Sequence, residues 1–98
     1  MVTLPPVLTL ASAPALVQGL KQMVLAEPAN AVVIDASGLT EFDSSALAVL
    51  LECRRQALTG GKGFSVRSLP ARLRQLAGLY GVAELIPATL ETGAAATA

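Results

Sequence analysis

The sequence has no histidine, no tryptophan and one cysteine, and its only aromatic residues are Phe42, Phe64 and Tyr80. Without histidine, a Ser–His–Asp triad, a Cys–His dyad and a histidine-ligated zinc site are excluded. With Cys53 alone, no intramolecular disulfide can form, which fits a reducing compartment. A nucleic-acid groove would need more basic residues and interleaved aromatics. Net charge is missing too. Seven basic and seven acidic residues cancel, so no overall field draws in nucleic acid or anionic lipid. No apolar stretch approaches the roughly 20 residues that span a bilayer. The first 20 residues are uncharged, but they lack a basic n-region and are broken by Pro5, Pro6 and Pro14. A cleaved signal is therefore not expected.

What is present is core material. Of 98 residues, 53% are apolar and 14% charged, enough to fill one domain. That domain is expected over residues 1–91, with the small-residue segment 92–98 as a flexible tail. The charges are polarised along the chain. Lys21 stands against Glu27, Asp35, Glu41 and Asp43, a net −3 over residues 1–49. Arg54, Arg55, Lys62, Arg67, Arg72 and Arg74 stand against Glu52, Glu84 and Glu91, a net +3 over residues 50–98.

The pattern of residues predicts alternating strands and helices. Residues 2–10 read as one short edge strand, because Pro5 and Pro6 cannot donate ladder hydrogen bonds. Ser12 and Pro14 suit a helix start. Leu16, Leu20, Met23 and Val24 then mark one buried helix face. The β-branched run 31–36 reads as a central strand covered on both faces. Residues 37–42 read as a loop before the helix Ser45–Leu58, whose start is crowded by the cap-type residues Asp43, Ser44 and Ser45. On this helix Ala46, Val49, Leu50, Cys53 and Ala57 form one cluster. Leu47, Leu51 and Leu58 widen the apolar arc to about 140°, with Arg54 between the two groups. A strand over 64–67 follows. A third helix opens at Pro70, with Leu73, Leu76, Ala77 and Tyr80 inward and Gly81-Val82 as its Schellman ending. A last short helix is expected over 82–90. The order is β-α-β-α-β-α, an α/β layer with a mostly parallel sheet.

Three segments could carry chemistry. Gly60-Gly61-Lys62-Gly63 follows a helix and precedes a strand, the reverse of a phosphate loop, and Gly63 replaces the required hydroxyl residue. It reads as a helix stop and turn. Cys53 falls on an apolar helix face and reads as a small core residue. Asp43-Ser44-Ser45 follows the central strand, at the end of the sheet where ligands and partners meet such folds. It reads equally as a helix cap and as a switch, since a phosphoryl group there would meet unpaired helix amides and also Asp43. No paired constellation for acid–base catalysis is readable, so an enzyme, a metal site and a cofactor are not expected.

The segment Ala31–Leu50, with its I-D-x-S-x-L and D-S-S-A-L runs, resembles the core of a STAS domain, and Leu69–Val82 resembles that family's last helices. The likeness covers most of residues 7–87, with the first hairpin trimmed to one strand. It implies a compact STAS-like α/β layer with a shortened N-terminal strand. In anti-anti-sigma members the phosphorylated serine is the second of the pair, here Ser45. In lipid-transport members a hydroxyl occupies the first position, here Ser44. Ala46 stands where kinase-regulated members usually have glycine. Within the family the chain is most similar to MlaB-type subunits, which bind the ATPase of an ABC transporter maintaining outer-membrane lipid asymmetry. The resemblance implies a cytoplasmic, non-enzymatic subunit, held at the inner membrane only through such a partner. The alternative is an anti-anti-sigma factor that binds a kinase-type anti-sigma factor and is controlled by serine phosphorylation. For either partner, the expected contact residues are Asp43, Ser44, Ser45, Leu47, Arg54, Arg55, Arg72 and Arg74.

Overall fold

The computed structural model describes residues 2–88. The elements follow in the order β1 (Val2–Thr3), β2 (Val7–Leu8), α1 (Ala13–Ala26), β3 (Ala31–Asp35), β4 (Glu41–Phe42), α2 (Ser45–Thr59), β5 (Gly63–Arg67), α3 (Ala71–Leu79) and a 3-10 turn, Ala83–Leu85. The 92–98 tail expectation falls outside the described residues.

The β-branched run makes the central strand. β3 lies between β1 and β5 and pairs with both in parallel, with Ile34 opposite Val2 on one side and Val66 on the other. Each crossover moves the chain one strand in the same direction. Right-handed crossovers of one sense place their helices on one face, and α1 packs along α2. Burial follows that geometry. Val32, Ile34 and Val66 point to the helices and are buried, whereas Val33 and Ser65 on the opposite face are only half-buried. Among the described residues the strand is therefore sealed on one face and only partly covered on the other. Leu8, Val24, Leu50, Cys53 and Leu73 complete the core, and among the described residues no polar or charged side chain is buried.

Four expectations are corrected. Residues 2–10 form two strands, because Pro5 and Pro6 interrupt the ladder and the chain changes partner: β1 pairs with β3, and β2 pairs in parallel with β4. Residues 37–42 are accordingly not all loop. The Pro6 carbonyl accepts the amides of Thr40 and Glu41, at 2.9 and 3.0 Å. Met23 is 47% exposed and Tyr80 is 59% exposed, so neither belongs to the core. Of the helix expected over 82–90, the described residues 82–88 form only the Ala83–Leu85 turn. Pro87 has no amide to continue a helix and pushes Ile86 towards extended backbone. Instead the Val66 amide donates to the Pro87 carbonyl at 2.8 Å, and Ala88 bridges to Val66 in parallel.

Helix endings hold where glycine permits them. Gly61 and Gly81 take positive φ, 73° and 74°. The next amides, Lys62 and Val82, close back on the carbonyls of Ala57 and Ala77 at 2.9 Å, the long bond of a Schellman ending. Lys62 then turns inward. Its Nζ donates to the carbonyls of Val24 (3.2 Å), Leu25 (3.5 Å) and Glu27. A cation thus closes the last turn of α1, where unpaired carbonyls and the negative dipole end gather. The Gly-Gly-Lys-Gly segment is a turn whose lysine is used structurally. Lys62→Met should lower stability by about 1 kcal/mol, or roughly 4–8 °C in Tm for a domain of this size. Differential scanning calorimetry checks this, and added phosphate or nucleotide should leave both Tm values unchanged.

Candidate functional site

Three side chains meet where β4 runs into α2, and Asp43 organises them. Its Oδ1 accepts the Ser45 amide at 2.9 Å and also the Ser45 hydroxyl. Its Oδ2 accepts the Leu10 amide at 2.9 Å, from the turn before α1. The helix start is therefore capped by Asp43, not by a serine. Ser44 occupies the N-cap position without a side-chain cap bond. Its hydroxyl is exposed and makes no hydrogen bond among the described residues, whereas the Ser45 hydroxyl is engaged. The Ser45 hydroxyl, then the Leu10 and Ser45 amides, hold the Asp43 carboxyl below the usual carboxylate range. Asp35, at the end of β3, is lowered in the same way by the Ser37 amide and hydroxyl, with Arg67 adding a smaller effect.

The two serines border two shallow apolar grooves that share Ala48. On the α1 side, Leu10, Ala13, Pro14, Val17, Ser45, Ala48 and Val49 line one groove of ≈ 270 Å³. On the α3 side, Ser44, Leu47, Ala48, Leu51, Tyr80 and Val82 line the other, ≈ 330 Å³. The exposed row of α2 runs Ser44, Ala48, Arg55 between them, at steps of four and seven residues. The structure also decides how α2 divides its apolar arc. Ala46, Val49, Leu50, Cys53 and Ala57 face the core, while the Leu47–Leu51–Leu58 stripe opens progressively from buried to exposed.

The expected contact residues separate accordingly. Asp43, Ser44 and Ser45 come together with Leu47, which is buried and offers only its edge to the groove. Arg54 is half-buried on the open stripe. Arg55 is exposed and reaches Glu52 at 3.2 Å, and Glu52 in turn lies 3.5 Å from Lys21 of α1. Arg72 and Arg74 are exposed at the start of α3. The α3 end, not its start, reaches the groove: Tyr80 lies about 12 Å along the helix from Arg72. Leu10, Ala48, Tyr80 and Val82 were not among the expected residues. Ala48 had a signal, being one turn beyond Ser44 on the same row. Leu10 had none, because its tie to the site spans 33 positions.

Other chemistry is limited. Burial, with the Glu52 charge adding to it, pushes the Cys53 thiol up to about 11, so it is neither nucleophile nor ligand near neutrality. Among the described residues, no group of three or more His, Cys, Asp or Glu could hold a metal ion. None of their helices is long and apolar enough to cross a membrane.

The lowered carboxylates set a pH dependence. A depressed folded-state pKa adds stability above the unfolded value and loses it as pH falls through the folded value. Thermal melts should therefore fall as pH drops from about 5 to about 2. Asp43→Asn and Asp35→Asn should each flatten that decline, and a slope unchanged in both variants would disprove the assignment.

Comparison with known proteins agrees with this geometry. A family model described as Mlab, STAS domain, matches residues 1–87. No curated protein matches the chain significantly. Among solved structures, a Thermotoga maritima protein described as a candidate anti-sigma factor antagonist aligns with a TM-score of 0.74 at 16% identity, covering 96% of this chain and 81% of that one. That likeness is one of fold. The family match extends from β1 to the segment after α3 and includes the whole serine-bearing site, so the chain belongs to the STAS-domain family.

Proposed function

We propose that this protein is a non-enzymatic regulator that acts by binding another protein, as an anti-sigma factor antagonist, with the start of α2 as its contact surface. The observation that carries the reading is the pair of apolar grooves that meet at Ala48 with one serine at the rim of each. Apolar contact at the centre of such a surface supplies affinity, and charges at its border set orientation and encounter rate. Arg54, on the open stripe of α2, makes no ion pair among the described residues, which suits a partner with an acidic rim and apolar side chains. The Thermotoga protein with the same fold, described as an anti-sigma factor antagonist candidate, supports the choice of an anti-sigma factor as that partner.

Phosphorylation fits the same surface. A phosphoryl group on Ser45 would add roughly −1.5 to −2 charge beside Asp43, at the edge of an apolar contact, and so oppose docking. A second reading is binding to the ATPase of a lipid-transporting ABC complex. It is favoured by the family model's own description and by Ala46 at the position usually held by glycine in kinase-regulated members.

Titration against both candidate partners from the source genome tests the two readings together. Ala48→Glu keeps a good helix former at an exposed position, so it should weaken binding about tenfold or more with little change in Tm. Arg55→Glu should act mainly on association rate and its salt dependence. Ser45→Asp should lose the anti-sigma factor while remaining folded. If Ala48→Glu binds like wild type, the surface is wrong; if only the ATPase binds, the second reading replaces the first.

A further inference from the structure

Among the described residues, the sheet has a face on which no helix lies. Val2, Val32, Ile34 and Val66 point to the helices and are buried. Side chains alternate along a strand, so the other face carries Ala31, Val33 and Asp35 of β3 and Gly63, Ser65 and Arg67 of β5. Val33, Asp35 and Ser65 are half-buried there, and Ala31, Gly63 and Arg67 are exposed. The face is flat and made of small residues apart from the charged pair at one end. A Cβ added at Gly63 would lie 3.7 Å from that of Ala31, with nothing else but the Ala31 backbone near it. Parallel sheets are found almost only with both faces covered. Here α1 and α2, the crossovers that join the three strands, are both spent on the same side.

We propose that a second copy of this chain covers that face, in a two-fold dimer whose axis runs along the strands between β3 and β5. The register carries the argument. Ala31 stands beside Gly63, Val33 beside Ser65, and Asp35 beside Arg67. Rotation about this axis keeps each level and exchanges the two strands, giving a self-complementary contact. Val33 then meets Ser65 of the second copy, Ala31 meets Gly63, and each Asp35 meets an Arg67. The larger side chain lies over the smaller at every level, and opposite charges face one another at the end. The axis is also central to the sheet, because β1 flanks β3 as the Ala88 bridge flanks β5. An axis across the strands would instead set Asp35 and Arg67 over Ala31 and Gly63, charge against no charge. Strands about 4.8 Å apart with residues rising about 3.3 Å each give the three-stranded face a footprint of about 240 Å². That is well under the roughly 800 Å² per partner of a standard interface, so the dimer is weak and forms at high concentration. The two grooves beside α2 lie on the helical side and stay open in it. The inference therefore stands apart from the partner-binding reading above.

Sedimentation equilibrium of the full chain, from about 10 μM to about 1 mM, tests the dimer. Wild type should move from monomer towards dimer mass across that range, and less so as salt rises. Arg67→Asp gathers only carboxylates at the charged end, and Asp35→Arg only guanidinium groups. Each variant alone should weaken association about tenfold or more. An equimolar mixture of the two should associate again, because every carboxylate then meets a guanidinium across the interface. Loss of a contact within one copy would not be restored by mixing. Val33→Lys, at the middle of the face, should also abolish association, and it serves in place of Asp35→Arg if thermal melts show that variant unfolded. Wild type that stays monomeric at the highest concentration overturns the dimer; if removal of residues 89–98 then allows association, that segment is the occupant of the face. A wild-type dimer that persists in Arg67→Asp and Val33→Lys overturns this face as the interface. Folded charge variants that fail to recover on mixing overturn the proposed axis.

Discussion

Parallel pairing of β3 with both neighbours is the constraint on which the remaining structure depends. Parallel neighbours cannot be joined by a hairpin, so each pairing demands a crossover, here a helix. Because β1, β3 and β5 are laid down in one direction, right-handed crossovers bring α1 and α2 to the same face. Their starts then lie together at the carboxyl ends of the strands. The turn before α1 and the start of α2 are brought within hydrogen-bonding distance by that arrangement together with the parallel β2–β4 pair, in which Leu8 stands opposite Phe42. The Asp43–Leu10 contact is its local expression.

The chain uses its few charges on backbone ends. Asp43 sits at the positive start of α2, and Lys62 sits at the negative finish of α1. Each complements the helix dipole, and each also ties together segments more than 30 residues apart. This leaves a core free of buried polar side chains among the described residues, in which Cys53 serves as a small apolar group. It also explains why apolar surface remains at the start of α2. The outer row at the start of that helix, Ser44 and Ala48, is uncharged and exposed, and Ser44, Ser45 and Tyr80 carry the hydroxyls that line the two grooves.

Much of the fold was legible. Val32-Val33-Ile34 specified a central strand through β-branching and length, and Gly61 and Gly81 specified helix endings through the conformation they tolerate. Local rules failed where a residue had two outlets. Pro5 and Pro6 were read as lowering the status of one strand, whereas they divide it between two sheets. Met23 lay on the inward stripe by periodicity, yet no described element covers it fully. Tyr80 matched the inward spacing of α3 but stands where that helix ends, so it borders a groove instead of filling the core. Pro87 did carry a local signal against a helix over 82–90.

The sequence by itself determined the alternation of strands and helices, the exclusion of histidine and disulfide chemistry, and the crowding of Asp43, Ser44 and Ser45 at one helix start. Those follow from side-chain type, period and backbone preference, which act within a few residues. Only the tertiary structure decided which serine hydroxyl is free, which stripe of α2 faces inward, and that Tyr80 rather than Arg72 or Arg74 borders Ser44. It alone joined Leu10 to Asp43. The physical reason is that a hydrogen bond or an apolar contact between distant segments depends on strand order and crossover hand, and neither leaves a periodic trace in the residues that eventually touch.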